Sequence, residues 1–231
     1  DYFADLVAPG LTNGTSDARW ITLLSWCLKW SHVVWQRAGG GELTQRDAQR
    51  DRYAWLRPLE LLWVDRTLES GQTTGQLRGR RSIERWRNAD HTPSNFAMSA
   101  DQFRRYRQVG TYGAYRGVFR SVTGLTTGDG WTPGSTALKL AELVNQKLPR
   151  EVQLSEESFK SGIRWGSWRN QEARFWIKRG WAAWQLKANQ GLLPTSDEAA
   201  AQPLSKEELK LLAPALFSEG SVRRLTAEVL A

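Results

Sequence analysis

The chain has 231 residues, 40% of them apolar, which is enough for a sizeable core and excludes disorder as the dominant state. Lys and Arg number 32 against 24 Asp and Glu, a formal net charge of +8, and 24 of the 32 basic residues are Arg. Such an excess favours acidic partners, and the planar fork of Arg suits phosphate better than Lys does; a solvated basic surface that recognises nothing is the plainer alternative.

Cys27 is the single cysteine. One thiol forms no internal disulfide and no cysteine-rich zinc site, which fits a reducing, cytoplasmic setting. No basic-then-apolar leader opens the sequence. The most apolar run, residues 20–35, contains Lys29 and His32 and is too short and too polar for a membrane span, so no membrane partner is expected.

In chain order, Pro9-Gly10 and Asn13-Gly14 predict turns, and Thr15, Ser16 or Asp17 is placed to cap a helix over 18–36. Apolar residues cover most of that helix, with Thr22, Ser25, Lys29 and His32 as one narrow polar stripe, so it should be buried on nearly all sides. His32 has no second ligand at metal-binding spacing and reads as a histidine satisfied by hydrogen bonding. Residues 37–52 read as a flexible break around Gly39, Gly40 and Gly41. Helical periodicity returns through Leu59, Leu62, Trp63 and Leu68, where Asp65 and Glu69 stand four apart on a face that is solvated in the simpler reading.

Residues 70–95 are Gly/Thr-rich and then strongly basic, with Arg78, Arg80, Arg81, Arg85 and Arg87 around a single Glu84. Trp86 either stacks on a base or anchors this segment to the core. Ser99 with Gln102 resembles a capping box. Beyond it Phe103, Tyr106 and Val109 face inward beside Arg104, Arg105 and Arg107, and after Gly110 and Gly113 the pattern resumes with Arg116 and Arg120 outside. Residues 78–120 thus carry 10 Arg against Glu84, Asp90 and Asp101. A Gly-rich turn over 124–134 leads to an amphipathic helix from Ala137 to Leu148. This order suggests a winged-helix-like unit, though an ordinary helical bundle predicts much the same string.

Residues 160–187 interleave Arg164, Arg169, Arg174, Lys178 and Arg179 with aromatics against Glu172 alone. They either line a nucleic-acid groove or form a tryptophan-rich packing helix with long charged side chains at its rim. Ser205 and Glu208 then predict a capping box, and Leu209, Leu212, Leu216 and Phe217 a docking face. The expected fold is mainly α: an irregular multi-helix domain with a winged-helix-like central unit and few short strands, divided as 1–95, 96–150 and 151–231.

Phe3, Ala4, Asp5, Pro9, Gly10, Thr15 and Arg19, followed by the aromatic run after Trp20, carry a resemblance. This opening is similar to that of uncharacterised bacterial proteins associated with mobile-element and anti-phage gene clusters. The resemblance implies a bacterial defence component and brings no catalytic residues with it.

Phosphate-loop and dinucleotide motifs are absent, no cofactor is implied, and Asp5, Asp17, Asp65, Glu69 and Asp129 do not assemble a metal site by spacing. The expectation is a non-catalytic nucleic-acid-binding subunit, with DNA favoured over RNA, working with protein partners. It would act through Arg78, Arg80, Arg81, Arg85, Arg87, Arg104, Arg105, Arg107, Arg116 and Arg120, and through Arg164 to Arg179 as a second surface. A protein scaffold built on the same Trp and Arg residues is the alternative, and a metal-dependent nuclease a more distant one.

Overall fold

Tryptophan and leucine at helical spacing set the centre of the molecule. In a computed structural model, which describes residues 17–37, 77–89, 110–128, 130–148, 153 and 204–218 and positions 52, 53, 56, 57, 59–61, 63, 64, 67 and 68, helix α1 runs Arg19–Arg37. The Asp17 carboxylate accepts the Arg19 N–H at 2.9 Å and so satisfies one of the open donors at its start. Trp20, Leu23, Leu24, Trp26, Cys27 and Trp30 are all buried, as expected of a helix covered on nearly all sides. The polar stripe is partly covered too. Ser25 is fully buried because its hydroxyl donates to the Ile21 carbonyl one turn back, at 2.7 Å.

Positions between 52 and 68 are helical wherever they are described, and Leu56, Leu59, Leu61, Trp63 and Val64 lie in the core. Trp63 meets Trp26 edge-on at 5.8 Å. Helix α2 is Arg80–Ala89, launched by Gly79 at φ 84° and anchored by Ile83, its fully buried side chain. Helix α3, Thr111–Ser121, begins at Gly110 and runs through Gly113, which the sequence pattern reads as an interruption. The buried Glu60 carboxylate accepts the Thr111 N–H at 2.7 Å, placing a negative charge at the positive end of α3.

A short antiparallel hairpin follows, with β1 Thr126–Thr127 and β2 Thr132–Pro133; Thr126 stands opposite Pro133 and Thr127 opposite Thr132. Helix α4, Ser135–Lys147, packs chiefly on α1, helped by Lys29 to Glu142 at 3.1 Å. Gly124 closes this unit. Its carbonyl accepts the Thr136 and Ala137 N–H groups at 2.9 and 3.1 Å, and it approaches Gly134 so closely that a Cβ there would stand 2.4 Å from the Gly124 oxygen.

Helix α5, Lys206–Leu216, opens with the predicted capping box: Ser205 N–H to Glu208 at 2.7 Å and Glu208 N–H to Ser205 Oγ at 3.3 Å. Glu208 is 1% exposed and does more than cap. Its carboxylate pairs with Arg19 of α1 and with Lys147 of α4 at 3.4 Å, joining three helices. Leu212 is the buried leucine of α5, whereas Leu209 and Phe217 are exposed, so the predicted docking face is narrower than the sequence suggests.

The fold is therefore mainly α, with one two-stranded sheet among the described residues. One apolar core draws on α1, the 52–64 positions, α3, the hairpin, α4 and α5. Helix, hairpin and helix occur in the expected order, but the hairpin does not stand away as a wing. Trp131 is 2% exposed and folds back into the core. No helix among the described residues is long and apolar enough to cross a membrane.

Candidate nucleic-acid interface

Among the described residues the arginines divide into buried, exposed and half-buried sets. Arg19, Arg52 and Arg57 are buried, Arg57 completely. Arg52 lies in the stretch that reads as a flexible break, yet it is a structural tie. Its guanidinium donates to the Trp131 carbonyl at 3.0 Å and to Thr132 Oγ1 at 3.3 Å, meets His32 Nδ1, and stacks 4.5 Å from the Trp35 ring centroid. Arginine carries donors only, so His32 Nδ1 is the acceptor in this contact. His32 is thus a hydrogen-bonded side chain at the seam between α1 and the hairpin.

Arg80, Arg81, Arg85 and Arg120 form the exposed population. Arg81 and Arg85, four apart, stand opposite the buried anchor Ile83 on α2, and Arg80 is exposed in its first turn. Arg80 pairs with Glu84 at 2.6 Å, an exposed i,i+4 contact that a phosphate could displace at little cost. Arg87 belongs to the same helix, but its side chain lies outside the described residues.

Arg78 and Arg116 stand between the two groups, half-buried. The Arg78 carbonyl accepts from Thr111 Oγ1 at 3.4 Å, which brings the root of α2 to the first turn of α3. There the Tyr115 hydroxyl donates to the Asp17 carbonyl at 2.6 Å and accepts from the Asp17 N–H at 3.2 Å. Burial pushes the Tyr115 phenol well above its ordinary range, while the Arg78 charge opposes the rise. Burial also raises the Asp17 carboxyl, against the Arg19 N–H and charge. The Arg116 guanidinium lies over the Trp131 ring at 5.3 Å.

Arg120 sits nine residues beyond Thr111, roughly 14 Å along α3 from the root of α2. Its stem lies against Gly130 of the hairpin. The structure thus brings Arg78, at the root of α2, to the first turn of α3, while Arg116 lies midway along α3 and Arg120 in its last turn. Arg104, Arg105, Arg107, Arg164, Arg169, Arg174, Lys178 and Arg179 lie outside the described residues, as do Asp5, Asp65, Glu69, Asp129 and the Ser99–Gln102 capping box.

What the sequence pattern did not signal is the seat under Arg120. Gly130 reads there only as turn chemistry. Among the described residues no three His, Cys, Asp or Glu side chains come together as a metal site. Cys27 is fully buried, and burial followed by the nearby Glu60 charge raises its thiol well above the ordinary value, so it is a packing residue and a poor nucleophile. Trp20, Trp26, Trp30, Trp35, Trp63 and Trp131 are all buried, which leaves none of them as a stacking platform. Comparison of the chain with protein-family models, curated proteins and solved structures returns no match.

Proposed function

We propose that the chain is a non-catalytic nucleic-acid-binding subunit that grips DNA through phosphate contacts and works within a bacterial antiviral assembly. One observation carries the DNA-binding part: among the described residues Arg80, Arg81, Arg85 and Arg120 stay at the surface while Arg19, Arg52 and Arg57 are buried completely or nearly so. Core packing accounts for Arg19, Arg52 and Arg57 and leaves the exposed set to a partner. Exposed guanidinium groups on a helix face bind phosphate oxygens and release counterions. The defence setting rests on the resemblance of the first residues alone.

A scaffold built on exposed tryptophans draws no support from the six described tryptophans, whose rings are inside. Leu138, Leu209 and Phe217 are exposed and leave room for a protein neighbour.

The deciding experiment titrates the purified chain against double- and single-stranded DNA and RNA over a range of salt. If the four exposed arginines reach phosphates, log K should fall with log salt at a slope of about −3 to −4. Absence of binding at low salt removes the reading. Tighter binding to RNA than to duplex DNA changes its substrate.

A further inference from the structure

We infer that Arg116 and Arg120, side by side against the 126–133 hairpin, form a pre-organised clamp for the phosphodiester backbone. The inference rests on the nucleic-acid reading above and adds which arginines set the position of the strand. The two residues are four apart on α3 and therefore share a face. Arg116 is laid over the Trp131 ring at 5.3 Å. Arg120 is laid over Gly130: a Cβ at that glycine would stand 3.0 Å from Arg120 Nε, 3.2 Å from Cγ and 3.7 Å from Cδ. The missing side chain at Gly130 is what lets the Arg120 stem lie flat.

The platform beneath them is held from several sides. Tyr112 donates from its hydroxyl to the Gly130 carbonyl at 2.9 Å, Arg52 donates to the Trp131 carbonyl at 3.0 Å, and the Trp131 ring packs 5.1 Å from that of Tyr112. A long side chain on an open surface loses rotamer freedom when it grips a phosphate; side chains seated on a fixed surface have lost part of it on folding. Among the described residues no ring or glycine seat lies under Arg81 or Arg85 of α2, and Arg80 is paired with Glu84.

Gly128 at the hairpin tip has no heavy atom within 4 Å of where its Cβ would be, and α3 carries no carboxylate; Asp129 of the hairpin lies outside the described residues.

The test uses the full chain and a short fluorescent duplex of mixed sequence, with three variants that keep every charge. R120K retains the cation and loses the fork, and G130A removes the seat. The K206R/K210R pair, exposed on α5 and outside the proposed binding set, is the control. Loss of a charge-assisted contact predicts about tenfold weaker binding for R120K and G130A. The control pair, which keeps its charges, should remain within about twofold of wild type. Circular dichroism checks the fold of G130A, whose φ of 74° strains an alanine; R120K, at an exposed position, carries the test by itself if G130A does not fold. Wild-type affinity in R120K, or an equal loss in the control pair, overturns the clamp while leaving DNA binding intact. A wild-type chain that binds no duplex overturns the nucleic-acid reading itself, and the clamp with it.

Discussion

Replacing Arg52 by alanine should cost about 4 kcal/mol of stability, far more than an arginine usually costs in a basic protein. The wild-type guanidinium is almost wholly buried and serves the Trp131 carbonyl, Thr132 Oγ1, His32 Nδ1 and the Trp35 ring at once. Truncation leaves a buried carbonyl without its donor, about 1–3 kcal/mol, and forfeits a charge-assisted bond of similar worth at His32. The lost contact with Trp35 adds about 1 kcal/mol. Relief from burying a cation offsets a share of this sum. In urea with a slope of about 2 kcal/mol per M, the midpoint should fall by about 2 M. Tryptophan fluorescence reads the transition directly, since Trp35 and Trp131 flank the lost group. Arg52→Met restores the apolar stem and separates packing from polar loss; it should recover about 1 kcal/mol. A midpoint within about 0.5 M of wild type, at unchanged slope, would refute the assignment of Arg52 as the tie between α1 and the hairpin.

Glu208→Ala should lose about 3–5 kcal/mol, because it leaves Arg19 buried beside an empty position, and the double change R19L/E208L should recover much of it in the same urea assay. Gly134→Ala forces a Cβ onto the Gly124 carbonyl and should destabilise by at least about 2 kcal/mol, whereas Gly128→Asn, in open space at φ 55°, should change stability by less than about 0.5 kcal/mol; equal effects would contradict the close approach of the two glycine segments. Alkaline pH should weaken the fold. The buried Cys27 thiol and Tyr115 phenol have raised folded-state values, so the unfolded chain loses its protons first, above 9.0 and 10.0 respectively. Their contribution is intact below those values and falls by up to about 1.4 kcal/mol per pH unit for each group above them. Cys27→Ala and Tyr115→Phe should flatten the decline measured by urea midpoints from pH 8 to 11.

Local grammar carried much of the fold into view. The periodicity of residues 20–35 was enough for α1, and Ser205 with Glu208 for the start of α5, because both depend on residues within a turn of one another. The partners of Glu208 were beyond that reach: Arg19 is far away in sequence, and only packing brings its guanidinium to the cap. Composition overstated the basic surface for the same reason. An arginine code reads alike whether the side chain ends in solvent, as at Arg81, or on the Trp131 carbonyl in the interior, as at Arg52. Trp131, within the Gly-rich turn, lies inside because Arg52 and Tyr53 from one stretch of chain and Tyr112 from another close around it. For the candidate interface, Arg80, Arg81, Arg85 and Arg120 were legible as exposed charge, but the glycine that seats Arg120 was not.

The burial of Cys27 has a practical side. As the single thiol of the sequence, and one fully enclosed by α1 and its neighbours, it should ignore maleimide reagents in the folded protein. A cysteine introduced at Gly128 would then be the one reactive position, at a tip with open space around it and one turn of chain from the Arg120 seat. A dye attached there would report on the hairpin without removing any arginine, so the enclosure of one thiol in the central helix leaves a single addressable site at the hairpin tip.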